Sequence, residues 1–295
     1  MKKIILCLFF GYSALSSAES KVYTLDPAFN TAGKAEFVTV EGDRGQTLKG
    51  RLIAQNGKSH ELPDACEPEG GDAELNDAFT VKGKKTYFLF TCVWPVQHSG
   101  IGLNGKQFET FVYTASGLTS LEKIQSMSQY LSAYEGSLEE GGNSYAWYTQ
   151  RKLATEKITE IESGKTADSL VLAHNIVLVR LKDMDYDAIK SYLRPERLEQ
   201  LKSDYPLGSS TVVAYNDFGY ALAQAGEYEK AYQLLAQVEK SFPDRVVLKL
   251  NIADVLWEMD KARSTAYYKS YVDLMTEAGK TKLIPAKAFE RSVGE

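Results

Sequence analysis

Cysteine and histidine are scarce in this 295-residue chain, with three of each. Cys7 lies in the N-terminal apolar stretch, so only Cys66 and Cys92 remain beyond it. No two of His60, His98 and His174 stand at zinc-ligand spacing, and neither cysteine has a histidine at ligand spacing. No complete phosphate-loop pattern occurs, and the Gly-x-Ser-x-Gly elbow of serine hydrolases is missing. His98 and Ser99 are neighbours in sequence, which does not present a nucleophile to its own base. Carboxylate pairs such as Glu139-Glu140 occur in any acidic chain. His174 sits in a strongly apolar segment and is expected to be a core histidine. These absences predict a protein that is not an enzyme and that carries no cofactor and no metal.

An excess of basic charge is also missing. The formal net charge is −5 and becomes −7 without Lys2 and Lys3. Nucleic acid and anionic membrane both demand basic surface, so neither is an expected partner. An acidic surface steers instead toward a basic partner. Beyond the N-terminus no apolar run is long enough to span a bilayer, so no integral membrane segment is expected there.

What is present begins with "MKKIILCLFFGYSALSSAES". A basic start, the apolar stretch Ile4 to Leu15 and the small residues Ser16-Ser17-Ala18 have the three parts of a secretory signal peptide over 1–18. Cleavage after Ala18 predicts a periplasmic or secreted protein. In an oxidising compartment Cys66 and Cys92 are expected to form a disulfide, worth roughly 3 to 4 kcal/mol by loop closure. The 18 Tyr, 12 Phe and 3 Trp fill cores first, and contact surfaces second.

The remainder has two textures, and the fold class they predict is α+β. Residues 19–117 read as a small antiparallel β domain with one disulfide. "AEFVTVEG", "LKGRLIAQNGK", "KKTYFLFTCVWPV" and "KQFETFVYTA" are rich in β-branched and aromatic residues and are separated by turn residues. The continuous apolar run Tyr87-Phe88-Leu89-Phe90 predicts a central strand covered on both faces. Asn104-Gly105 is a hairpin signal. The acidic "ELPDACEPEGGDAELND" does not have EF-hand spacing and is expected to be a solvated loop.

Residues 118–295 read as helical. Thr119-Ser120-Leu121-Glu122 is a capping-box candidate, followed by Leu121, Ile124, Met127, Leu131 and Tyr134 at helical spacing. A second helix is expected over 144–162 and a buried one in "SLVLAHNIVLVRLK". Pro195 and Pro206 bracket a short one. In "DFGYALAQAGEYEKAYQLLAQVEKSFPD" two helical patterns flank Gly226, which accepts a positive φ. Phe242-Pro243 stops the second of them. Two antiparallel helices joined so tightly pack on each other, and one pair alone leaves an outer apolar face.

Residues 212–245 resemble the tetratricopeptide repeat. Tyr215, Phe218, Gly219 and Leu222 stand at its first-helix positions, Gly226 and Tyr228 at its turn, Ala231 and Leu235 in its second helix, and Pro243 at its end. Leu222 and Leu235 depart from the usual aromatic residues. Residues 246–278 resemble a weaker copy with a shorter turn and no glycine in it. Residues 168–193 look like a degenerate relative, and Ile284 to Val293 like a capping helix. The resemblance implies a groove binding another protein or a peptide. Its partner-binding residues would be Val213, Asn216, Tyr220, Ala223, Gln224, Asn251, Asp254 and Val255. Two other classes stay open: an inhibitor or immunity protein neutralising a secreted toxin or cell-wall enzyme, and a hydrolase with a site in the β domain near His98.

Overall fold

The computed structural model describes residues 20–42, 45–69 and 71–293. The expected signal peptide and its cleavage site lie outside the described residues. The fold is α+β: antiparallel sheets with one disulfide, followed by an all-α region. Two compact units divide at Arg151/Lys152.

In the first unit β1 (Ser20–Phe29), β2 (Ala32–Gly42), β3 (Gly45–Ala54) and β4 (Ser59–Cys66) form an antiparallel meander in that spatial order. The second sheet takes β5 (Glu74–Lys82), β6 (Thr86–His98), β7 (Leu103–Gly117), β8 (Ser120–Lys123), β9 (Ala133–Ser137) and β10 (Asn143–Ser144). Its order is β10-β9-β7-β6-β5, with β8 also on β7. Residues alternate faces along a strand, so Phe29 and Phe37 of one sheet meet Phe88, Phe90, Phe111 and Tyr113 of the other in one core. Phe37 and Phe90 lie with ring centroids 5.3 Å apart. The Cys66–Cys92 disulfide joins β4 to β6 and so ties sheet to sheet. Tyr87 to Cys92 are all buried, as expected of a strand covered on both faces.

Three sequence expectations change here. Asn104-Gly105 does not turn: it lies within β7, and the chain reverses over Ser99–Ile101 with Gly102 left-handed at φ 72°. Gly105 is needed for close approach, since a Cβ there would meet Glu135 O at 2.2 Å. The acidic segment is only partly loop, because its ends belong to β4 and β5. Residues 118–151 belong to the β-rich unit, which moves the boundary from 117/118 to Arg151/Lys152. Leu121 and Lys123 face inward and pair with Ala115 and Tyr113, so residues 120–123 extend the sheet as β8. The helical signal survives only as α1 (Gln125–Leu131), which packs on β7.

The second unit is a succession of helices: α2 (Arg151–Glu162, its first residue the last of the β-rich unit), α3 (Leu170–Lys182), α4 (Tyr186–Tyr192), α5 (Pro195–Asp204), α6 (Val212–Gln224), α7 (Tyr228–Ser241), α8 (Val246–Met259), α9 (Lys261–Glu277) and α10 (Ala286–Ser292). Helix α2 starts later than expected, while Pro195 opens α5 as foreseen. Gly226 closes α6 in the left-handed region at φ 79°, donating to Ala223 O while Glu227 donates to Leu222 O. Met184 repeats that device at the end of α3, at φ 56° and with a side chain. Gly219 lets α7 approach, since a Cβ there would lie 2.5 Å from Leu235. The turn from α8 to α9 is the single residue Asp260, whose side chain caps α9 at Arg263 N–H.

One buried ionic knot fixes the turn from α2 to α3. Lys157 Nζ donates to Thr166 O and Asp168 Oδ1, both at 2.8 Å. Asp168 Oδ2 accepts from the Tyr192 hydroxyl at 2.7 Å and from Arg197 at 3.4 Å. Glu160 Oε1 accepts from Ser169 N–H, while Ser169 Oγ caps α3.

Candidate interaction site

Helix α3 packs on α6 and α6 on α8, so the first helices of three successive pairs form one layer. A hydrogen-bonded chain runs across that layer. His174 Nε2 lies 2.8 Å from Asp217 Oδ2, and Asn216 donates to Asp217 Oδ1 at 3.1 Å. Asn251 of α8 donates to Asn216 Oδ1 at 3.2 Å. A carboxylate only accepts, which places the His174 proton on Nε2. From the middle of α2, Glu156 accepts from Asn175 with both oxygens at 2.9 Å. At the other end Asp254 Oδ1 accepts from the Tyr268 hydroxyl at 2.6 Å and from Lys287 of α10 at 2.8 Å. Burial, then the hydrogen bond to Asp254, pushes the Tyr268 phenol up, and Arg291 opposes them. Arg291 donates to the same hydroxyl and lies 4.2 Å from the Trp257 ring centroid.

The eight sequence candidates divide by environment. Val213 and Gln224 are exposed, and Tyr220 and Asp254 are half-buried. Asn216 and Asn251 are buried and spent on the polar chain, where they register α6 against α8. Ala223 and Val255 are buried among packed side chains. Their small or apolar character is explained by helix packing.

Sequence reasoning named Val213 of this face and missed Val171 and Val247. Val171, Val213 and Val247 are each the second residue of α3, α6 and α8, and their exposures are 68%, 49% and 57%. An exposed valine in the same place on three neighbouring helices differs from scattered surface apolar residues. The doublets Leu170-Val171, Val212-Val213 and Val246-Val247 were the available signal. His174 was expected in the core. It is instead half-buried, with its ring edge-on to Phe218 at 5.9 Å and its Nε2 on Asp217.

Comparison with known proteins finds no family model that matches the chain and no curated protein similar to it in sequence. Among the described residues no helix is long and apolar enough to cross a membrane, and no three His, Cys, Asp or Glu gather as a metal site.

Proposed function

We propose that the protein is an exported interaction module whose tetratricopeptide-like helices bind an extended segment of another protein. The observation that carries this reading is the repeated exposed valine on α3, α6 and α8, set beside a polar chain that locks the three helices in register. A layer held rigid before binding loses little conformational entropy on association, which favours recognition of a flexible segment. Val213, Tyr220 and Gln224 would supply apolar, aromatic and amide contacts in the middle of the face, a mixture suited to a peptide with alternating side chains. Export rests on the signal-like residues 1–18, which also place Cys66 and Cys92 where a disulfide persists.

The test is a photo-crosslinking side chain at Val213, compared with one at exposed Lys240 of α7, in the host's extracytoplasmic fraction. A discrete adduct formed only from position 213, and lost in Tyr220→Ala/Gln224→Ala with the helical content intact, is the expected result. Equal labelling from both positions would end this reading. Inhibition of the captured partner's own activity would mark the module as an inhibitor rather than a scaffold.

A further inference from the structure

The β-rich unit holds a separate cavity of about 400 Å³ beside β7 and α1. Glu69, Gln107, Glu109, Lys123, Gln125 and Gln129 form its polar lining. Two hydroxyls in its wall are already engaged with the backbone. Ser128 Oγ accepts from Val112 N–H and donates to Ile124 O, and Ser132 Oγ does the same between Thr110 N–H and Ser128 O. They build the wall and leave recognition to the other side chains.

Lys123 is the only cation in that lining, and it is neutralised from outside it. Its Nζ lies 3.1 Å from Asp64 Oδ1 and 4.5 Å from the Phe111 ring centroid. Asp64 also accepts from the Tyr113 hydroxyl. Glu109 is half-buried and makes no side-chain hydrogen bond among the described residues. Burial pushes its carboxyl up; Lys123 opposes that, and Glu69 and Asp64 add to it. Gln125 and Gln129 are exposed at the rim with their amides unengaged among the described residues.

This lining selects among ligands. An anion meets two carboxylates, Glu69 and Glu109, and a lysine already paired with Asp64. A tightly held divalent cation draws on several carboxylates, and among the described residues no three His, Cys, Asp or Glu gather here. A flat ring would need an aromatic platform, and none lines the cavity. A nitrogen cation with several N–H donors satisfies a carboxylate and amide oxygens together.

We infer that the cavity binds a guanidinium or ammonium group, with Glu109 as its counter-charge and the Gln125 and Gln129 amide oxygens as further acceptors. The cation comes from a small amine or from a basic side chain of a partner, and both present the same donors. An acidic protein attracts such ligands from a distance, and the cavity gives that attraction an address.

The test is amide NMR of the full chain, titrated with agmatine, with acetyl-Gly-Arg-Gly-amide, and with its citrulline counterpart, which is neutral. Both cations should shift the signals of residues 107–110 and 125–129 saturably, and the citrulline peptide should not. Tighter binding of agmatine assigns the site to small amines, and tighter binding of the peptide assigns it to a partner's side chain. Glu109→Gln should weaken either at least tenfold, and acidification should weaken the native protein as Glu109 takes up its proton. Gln129→Lys, on the exposed side of α1, places a competing cation at the mouth and should abolish the shifts even if Glu109→Gln misfolds. No saturable shift, equal binding of citrulline, or full binding by Gln129→Lys overturns the inference.

Discussion

Lys157→Met tests the ionic knot between α2 and α3. The lysine side chain is 2% exposed and that of Asp168 8%, so neither charge is relieved by water. Methionine keeps most of the apolar stem and removes the ammonium. Thr166 O then loses its donor and Asp168 Oδ1 its cation at 2.8 Å. Removing one partner of a buried pair costs roughly 3–5 kcal/mol, because the other charge remains buried. The Tyr192 and Arg197 contacts still hold Asp168 Oδ2, which puts the loss near the lower end, about 3 kcal/mol. A unit of this size loses about 3 °C per kcal/mol, so its melting temperature should fall by about 10 °C. Far-UV circular dichroism on the full chain follows it, since the helices dominate that signal. Adding Asp168→Asn removes the orphaned charge, and the double variant should be at least about 1 kcal/mol more stable than the two single losses predict by addition. An unchanged or raised melting temperature in Lys157→Met would refute the reasoning, because apolar packing would then outweigh the ion pair.

Three more expectations concern stability. Cys66→Ala/Cys92→Ala opens the link between the sheets and should destabilise the β-rich unit by roughly 3 to 4 kcal/mol on the loop-closure account, read by urea titration of its tryptophan fluorescence. Met184→Gly should stabilise the helical unit by about 1 kcal/mol, since φ 56° strains any residue with a Cβ; a loss in a thermal melt would show that the exposed Met184 side chain makes a contact of greater value. Tyr215 donates to Leu201 O and Tyr205 O, and burial followed by the Asp204 charge pushes its phenol up to about 12. The folded state therefore keeps a proton that the unfolded state releases near pH 10. That contribution is whole below pH 10 and is lost as pH rises through about 12. Tyr215→Phe should accordingly lie furthest below the native protein in denaturant titrations at pH 9, and the gap should narrow by pH 11.5.

Local chemistry fixed much of this protein. Alternation and β-branched residues identified β2, β3, β6 and β7, the pairing of Cys66 with Cys92 followed from their being the two cysteines left, and Gly226, Pro195 and Pro243 marked helix ends through backbone rules that act within a few residues. The same rules misread residues 119–134. Leu121, Ile124, Met127 and Leu131 satisfy a helical period, yet residues 120–123 fold back on the end of β7 through the close pairing of Gly117 with Ser120 and extend its sheet. Asn104-Gly105 likewise has the local character of a turn, but β6 and β9 flank it and hold it extended inside a sheet.

The candidate sites show the same division. The repeat resemblance implied a groove side carrying Val213, Tyr220 and Gln224, but it gave Asn216 and Asn251 the same rank although they bond to each other across α6 and α8. The cavity around Glu109 had no signature at all, because its lining comes from the segment after β4, from β7, from β8 and from α1. Periodicity and turn chemistry act over a few residues and are written into the chain. Which carboxylate is half-buried beside a neutralised lysine, and which valine stays uncovered, depends on what the rest of the chain brings alongside, and only tertiary packing decides that.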